Sequence, residues 1–150
     1  MTFNNYTQKS LEAVQSAQNI AVQHSNQQLE QIHLLLALLQ QDGGLTPQLL
    51  RKMGVNAESL EAAAKAEVRN LPTVTGSREA DRFYISAAVD ATFCTAEQQA
   101  QRMKDDFISV EHLLLALIEA AQGSVKNLFE TYRVTKEGVL QALQGIRGSQ

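Results

Sequence analysis

The chain has 150 residues, 44% of them hydrophobic, with 13 Lys and Arg against 16 Asp and Glu. That is enough apolar matter for a domain core, and too little clustered positive charge for a phosphate backbone or an anionic membrane surface, so neither nucleic acid nor membrane is expected as a partner. No apolar run approaches the ~18 residues of a membrane span, and MTFNNYTQKS lacks the regions of a secretory signal, so the chain reads as cytoplasmic.

Two prolines, no tryptophan and abundant Ala, Leu, Gln and Glu predict an all-α protein, because straight-chain residues lose little rotamer freedom in a helix. The first helix is expected after a Thr7 cap, with Ser10, Val14, Ala17, Ala21 and His24 on one stripe. The second holds HLLLAL at 33–38, where Ile32, Leu34, Leu35, Leu36, Leu38 and Leu39 run almost all the way round, as in a helix surrounded by neighbours. Thr46 and Pro47 read as the cap and first residue of a third helix, Gly54 as the left-handed residue closing it, and Asn56 as the cap of a fourth. LPTVTGSREADR, residues 71–82, then reads as a linker around Pro72 and Gly76.

The hexapeptide recurs at 112–117, 79 positions on, and the same shift aligns residues 7 to 149 without a gap. It pairs Thr7 with Ser86, Ala17 with Ala96, Gly44 with Gly123, Leu49 with Leu128 and Glu58 with Glu137. The second half is therefore predicted to repeat the first. Ser86 caps a helix striped by Val89, Phe93, Ala96, Ala100 and Met103, and Thr135 caps the last helix. Arg133 falls where the first copy has Gly54, so the second copy closes its third helix differently or accepts roughly 1 kcal/mol of strain. The expected fold is two tandem four-helix repeats, 7–70 and 83–149, about eight helices in a single 1–150 domain. Equivalent apolar faces can bury one another, which predicts a pseudo-two-fold pair. Cys94, the lone cysteine, has apolar helical neighbours and is expected as a core thiol.

Nothing in the chain argues for catalysis. GVNAES and GSREAD lack the lysine and second glycine of a phosphate loop. His24, His33 and His112 stand on separate turns or helices, with no metal-ligand spacing and no nucleophile paired to a base. No enzyme, metal or cofactor is expected of this chain, and His33 and His112, each in the first turn of a buried helix, read as hydrogen-bonded structural residues.

Two copies of a unit carrying HLLLAL, LPTVTGS between them and DDFISVEHLLLALI in the second resemble the N-terminal domain of the Clp family of AAA+ unfoldases, from Thr7 to about Gly148. RNLPTVTGS and RMKDDFISVEH are most similar to its ClpB disaggregase branch. The resemblance implies a substrate-binding module that engages exposed apolar segments of unfolded or aggregated proteins in a shallow groove and hands them to the pore of a hexamer. ATP and Mg would then belong to ATPase modules outside this chain, and the isolated piece would be monomeric. Residues implicated in that branch map onto Thr7, Asp105 and Glu111. Each has a structural reading beside the functional one: Thr7 as a helix cap, Glu111 as a carboxylate favoured by the helix dipole, Asp105 as a solvated charge in the turn KDD. Of the apolar residues that would line the groove, Leu11 lies off the core stripe and is the first candidate. Phe93 and Val110 follow, although Phe93 also fits the core stripe and Val110 also suits a helix start. The competing reading is a module that docks an adaptor or one folded partner, as in the ClpC, ClpA or ClpV branches. In ClpC a glutamate precedes the histidine in both copies, and the pair clamps phosphorylated-arginine tags. Here Glu111 keeps that place and Ile32 does not, so no binding is expected at the first site and at most one weak event at Glu111.

Overall fold

Most helices begin where a short polar side chain or a glycine ends the extended chain, and Glu30 and Gln122 hold that place in the other two. In the computed structural model, which describes residues 3–74 and 84–147, α1 (Gln8–Gln23) follows Thr7, whose Oγ1 accepts the Ser10 N–H at 3.2 Å. Its counterpart α5 (Ala87–Arg102) follows Ser86, whose Oγ accepts the Val89 N–H at 3.1 Å. Asn56 caps α4 (Ala57–Arg69), and Thr135 accepts the Gly138 N–H at the start of α8 (Lys136–Arg147). Between them lie α2 (Gln31–Gln40), α3 (Leu45–Lys52), α6 (Val110–Ala120) and α7 (Gly123–Thr131).

One boundary differs from the sequence expectation. Gly44 is the N-cap of α3, so the helix starts two residues early and Thr46 and Pro47 are its second and third residues. Pro47 is tolerated because first-turn N–H groups have no intrahelical partner to lose. Thr46, freed from capping, points inward and is fully buried.

The repeats are related as a pair of equivalents should be. The helix packing between them is paired under the 79-residue shift: α3 packs on α8 as α7 packs on α4, α1 on α6 as α5 on α2, and α2 on α6 lies across the axis. A short parallel ladder joins β1 (Gln28–Leu29) to β2 (Tyr84–Ile85), and a parallel bridge joins Ile108 to Tyr6, the same positions exchanged. The hydrogen bonds match as well, Ser86 N–H to Leu29 O at 3.0 Å and Thr7 N–H to Ile108 O at 2.9 Å. The segment before each first helix therefore pairs with the segment before the other repeat's second helix.

One hydrophobic cluster runs through both copies. Leu34, Leu35, Leu38, Leu113, Leu114 and Leu115 are essentially inaccessible, so HLLLAL is the central buried helix of each repeat, each leucine contributing about 1.5–3 kcal/mol by burial. The stripes of α1 and α5 face it as expected: Ser10, Val14, Ala17 and Ala21 are buried, as are Val89, Phe93, Ala96 and Ala100. Cys94 corrects the sequence reading, because it faces solvent. The stripe passes through Phe93, so the next residue, a rotation of about 100° on, leaves the core.

The left-handed positions also repeat. Gly54 closes α3 at φ +80°, and Arg133 closes α7 at φ +58°, so the second copy keeps the geometry and takes the strain. Ser25 and Lys104 occupy a second equivalent pair, at +53° and +58°. After α4 the expected linker begins attached to the first repeat, since Thr73 bridges to Asn26 and the Val74 N–H donates to Ser25 O at 2.8 Å. Its remainder, with Gly76, lies outside the described residues.

Candidate functional site

The first turn of α6 is set by a histidine. His112 is 1% exposed, its Nδ1 accepts the Ser109 N–H at 2.9 Å, and its Nε2 lies 2.8 Å from Asp105 Oδ2. A nitrogen that accepts an N–H carries no proton, so the network assigns the proton to Nε2, which donates to the carboxylate. The arrangement is a capping box with histidine in the place usually held by Glu or Gln. The first repeat builds the same box: the Glu30 N–H donates to His33 Nδ1 at 2.9 Å, and His33 Nε2 meets Asn26 Oδ1 at 2.8 Å. Burial, with a smaller contribution from the nearby His24, holds the His33 pKa down at about 4, so this ring is neutral in ordinary buffers. Both histidines are structural residues, as the sequence predicts. Asp105 is not the freely solvated charge of a polar turn, since its side chain is 27% exposed and it accepts from a buried imidazole.

This first turn forms one wall of a cavity of about 400 Å³, lined also by the Thr7 end of α1 and the start of α3 at Gly44, which brings no capping side chain. Thr7, Val110 and Glu111, three of the six residues singled out from the sequence, meet there with Lys9, Leu45 and Ser109. Thr7 is tied into place by its cap and by its N–H to Ile108 O. Glu111 accepts from the Ser109 hydroxyl and sits in the first turn, where the helix dipole favours a negative charge. Val110 is 6% exposed and presents only its edge to the cavity. The wall thus carries one cation, Lys9, one anion, Glu111, and an apolar floor, the make-up of a site that holds an apolar side chain and orients its polar neighbours.

The other three candidates lie elsewhere. Leu11, one turn along α1 from Thr7, is 39% exposed but is not part of the cavity wall. Asp105 is not part of the cavity wall and bonds His112 behind it. Phe93 is a correction: at 1% exposure it belongs to the core, edge-on to Phe3 and Tyr6 with ring centroids 5.5 and 6.4 Å away, and no client can touch it without unpacking that cluster. A residue the sequence reading passed over is Phe107, 58% exposed on the segment that leads into α6. Its signal was the alternation of an extended segment: Ile108 turns inward to bridge Tyr6, so Phe107 turns out.

The pseudo-symmetric position holds a different cavity, of about 320 Å³. Glu111 is replaced there by Ile32, Lys9 by Ala88 and Val110 by Gln31. Gln31 fills it with its own bonds, donating to Ala120 O at 2.9 Å and Thr92 Oγ1 at 3.0 Å and accepting the Gln122 N–H at 3.0 Å. A larger cleft, about 620 Å³, opens between α6, α7 and α8 over Ile118, Phe129 and Val134, and contains none of the six candidates. The equivalent ground in the first repeat carries an ion pair, Arg51 Nη2 to Glu58 Oε1 at 2.8 Å; in the second both positions are glutamates, Glu130 and Glu137. Among the described residues no group of His, Cys, Asp and Glu is placed to hold a metal ion, and no helix is long and apolar enough to cross a membrane.

Comparison with known proteins agrees with this architecture. Over its full length the chain is 40% identical to the chaperone protein ClpB of Bacillus cereus, and it spans 17% of that relative. The structure superposes on the N-terminal domain of Hsp104 from Candida albicans with a TM-score of 0.84 at 22% identity, covering 98% of this chain and 94% of that one. It superposes on the N-terminal domain of the ClpV1 ATPase of E. coli with a TM-score of 0.79 at 19% identity, covering 99% and 88%. The model of the Clp repeat (R) N-terminal domain matches residues 5–132, and the chain belongs to that family, with sequence kinship to ClpB.

Proposed function

We propose that this chain is the client-binding N-terminal module of a ClpB-type disaggregase, taking exposed apolar segments of unfolded or aggregated proteins at the junction of α1, α3 and α6. The observation that carries the reading is the meeting of Thr7, Val110 and Glu111 in one cavity wall, from positions more than a hundred residues apart in sequence. At about 400 Å³ the cavity accepts one or two side chains of an extended segment. Binding is correspondingly weak, because little area is buried and every client residue that becomes ordered costs entropy. Leu11 and Phe107, the exposed apolar residues next to it in the chain on either side, extend the apolar surface beyond the cavity. The rest of the machine, with its ATP, Mg, ATPase modules, hexameric ring and cytoplasmic setting, belongs to the longer protein of which the chain forms a small fraction in its relatives.

The test is a residue-by-residue titration of the isotope-labelled chain with reduced, carboxymethylated α-lactalbumin as an unfolded client. Shifts are expected at Thr7, Leu11, Phe107 and Glu111. Leu11→Ser should weaken binding several-fold while Tm falls by no more than about 4 °C. Shifts confined to the cleft at Phe129 and Val134 would move the site to the other end of the repeat.

A further inference from the structure

Asp105 stands outside the cavity wall, at the head of a chain of hydrogen bonds that ends inside it. Its Oδ2 accepts from His112 Nε2 at 2.8 Å, His112 Nδ1 accepts the Ser109 N–H at 2.9 Å, and the Ser109 hydroxyl donates to Glu111. We infer that Asp105 is a positioning residue: acting through His112 and Ser109, it fixes the first turn of α6 and with it the direction in which Glu111 enters the cavity. This rests on the cavity being the client site.

The physical argument turns on a buried N–H. His112 is 1% exposed, so its Nε2–H has no water to turn to. Remove the acceptor and the ring must rotate or the turn must open, because an unpaired buried donor is costlier than either. Both motions release the Ser109 N–H from Nδ1 and leave Glu111 without a fixed base. The first repeat supplies a control within the same molecule. Asn26 Oδ1 accepts from His33 Nε2 at the same 2.8 Å, without a negative charge. The acceptor's reach is what the device needs, and its charge is dispensable. In the first repeat the device holds only Ile32 at the equivalent place, where no directed group has to be aimed. A carboxylate that instead touched the client directly would depend on its charge, and that difference makes the two roles separable.

The experiment measures the affinity of this 150-residue chain for fluorescein-labelled, reduced and carboxymethylated α-lactalbumin. Asp105→Ala should weaken binding about tenfold, as should Glu111→Gln, and the double variant should be no weaker than either. Asp105→Asn should bind within about twofold of the parent, because asparagine already serves this purpose at position 26. Asp105→Glu, which keeps the charge and overshoots the imidazole, should fail where Asn succeeds, and it stands in for the alanine variant if that one does not fold. Hydrogen exchange at the Ser109 amide should speed up in Asp105→Ala and in Asp105→Glu and stay slow in Asp105→Asn and Glu111→Gln. Additive losses, an Asn variant as weak as the Ala variant, or an unchanged Ser109 amide would overturn the inference while leaving the cavity reading intact. A Glu111→Gln variant that binds as tightly as the parent would remove the cavity reading and take the inference with it.

Discussion

Thr46→Val should make this protein more stable. Thr46 is fully buried in the first turn of α3, and its Oγ1 has no hydrogen-bond partner among the described residues. A hydroxyl desolvated without compensation costs about 1–3 kcal/mol, and replacing it by a methyl of the same shape removes that cost and adds a little apolar burial. The repeat supplies the evidence that valine fits, since the equivalent residue of α7 is Val125, 1% exposed in the same core. Helix propensity barely distinguishes the two residues. The expected gain is about 1–2 kcal/mol, and at this chain length about 2–4 °C of Tm accompanies each kcal/mol. Thermal unfolding followed by circular dichroism, with urea titration beside it, measures both. Thr46→Ala is the control: it also removes the hydroxyl but leaves a void, so it should fall well below the valine variant. A valine variant less stable than the parent would show that the hydroxyl is paired in solution, and the reasoning from burial would be wrong.

Two further outcomes follow from backbone strain and from titration. Arg133 sits at φ +58°, so Arg133→Gly should stabilise by about 1 kcal/mol, read in the same melts; a neutral result would mean that the arginine side chain offsets its strain within the α6–α8 cleft. Burial lowers the His33 pKa from 6.5 to about 4, so the unfolded chain takes up the proton first as pH falls. Stability contributed by the neutral ring is then fully present above about pH 6.5 and lost progressively toward pH 4, by about 3 kcal/mol in all. Urea midpoints at pH 7 and pH 5 should differ accordingly, and a His33 ring proton titrating near pH 6.5 in NMR would contradict the assignment.

The helices and their pairing were legible in the sequence because their determinants are local or repeated. A cap is read from one residue and its neighbours, as at Thr7, Ser86, Asn56 and Thr135, and the 79-residue shift tests every assignment twice. The start of α3 was misread because Thr46-Pro47 imitates a cap signal while Gly44, which leaves no side-chain signature, does the capping. Cys94 and Phe93 show a different limit. Adjacent on one helix, they differ entirely in exposure, and a stripe argument places the phenylalanine better than it places a neighbour at the stripe's edge. The cavity itself was out of reach. Glu111, Thr7 and Val110 came from resemblance and from helix position, but that they share a wall depends on α1 meeting α6 across the pseudo-axis, a long-range fact that no local pattern encodes.

The two repeats share the structural device and differ in what they place beside it. In both, a histidine at the third position of the second helix takes the N–H of the cap residue and gives its other nitrogen to an acceptor seven residues back. That device starts the buried helix and tolerates either Asn or Asp, so it imposes nothing on the two residues between cap and histidine. These intervening positions face the junction with the other copy's first helix, and there the copies part: Ile32 beside Ala88 and a Gln31 bonded to Thr92, Ala120 and Gln122 in one, Glu111 beside Lys9 in the other. The first arrangement satisfies its own polar groups and ties α2 to the end of α6. The second places a cation paired with Glu12 and an anion held by the Ser109 hydroxyl around an apolar floor. Exchanging the residues tests whether the backbone or the side chains decide. Ile32→Glu with Ala88→Lys would place the second repeat's charges on the first repeat's frame, yet Gln31 would still fill the space. Such a variant should therefore gain no client affinity until Gln31→Val, the residue found at position 110, opens the cavity as well. Client binding at the new site in the double variant, with Gln31 in place, would refute that account of the asymmetry.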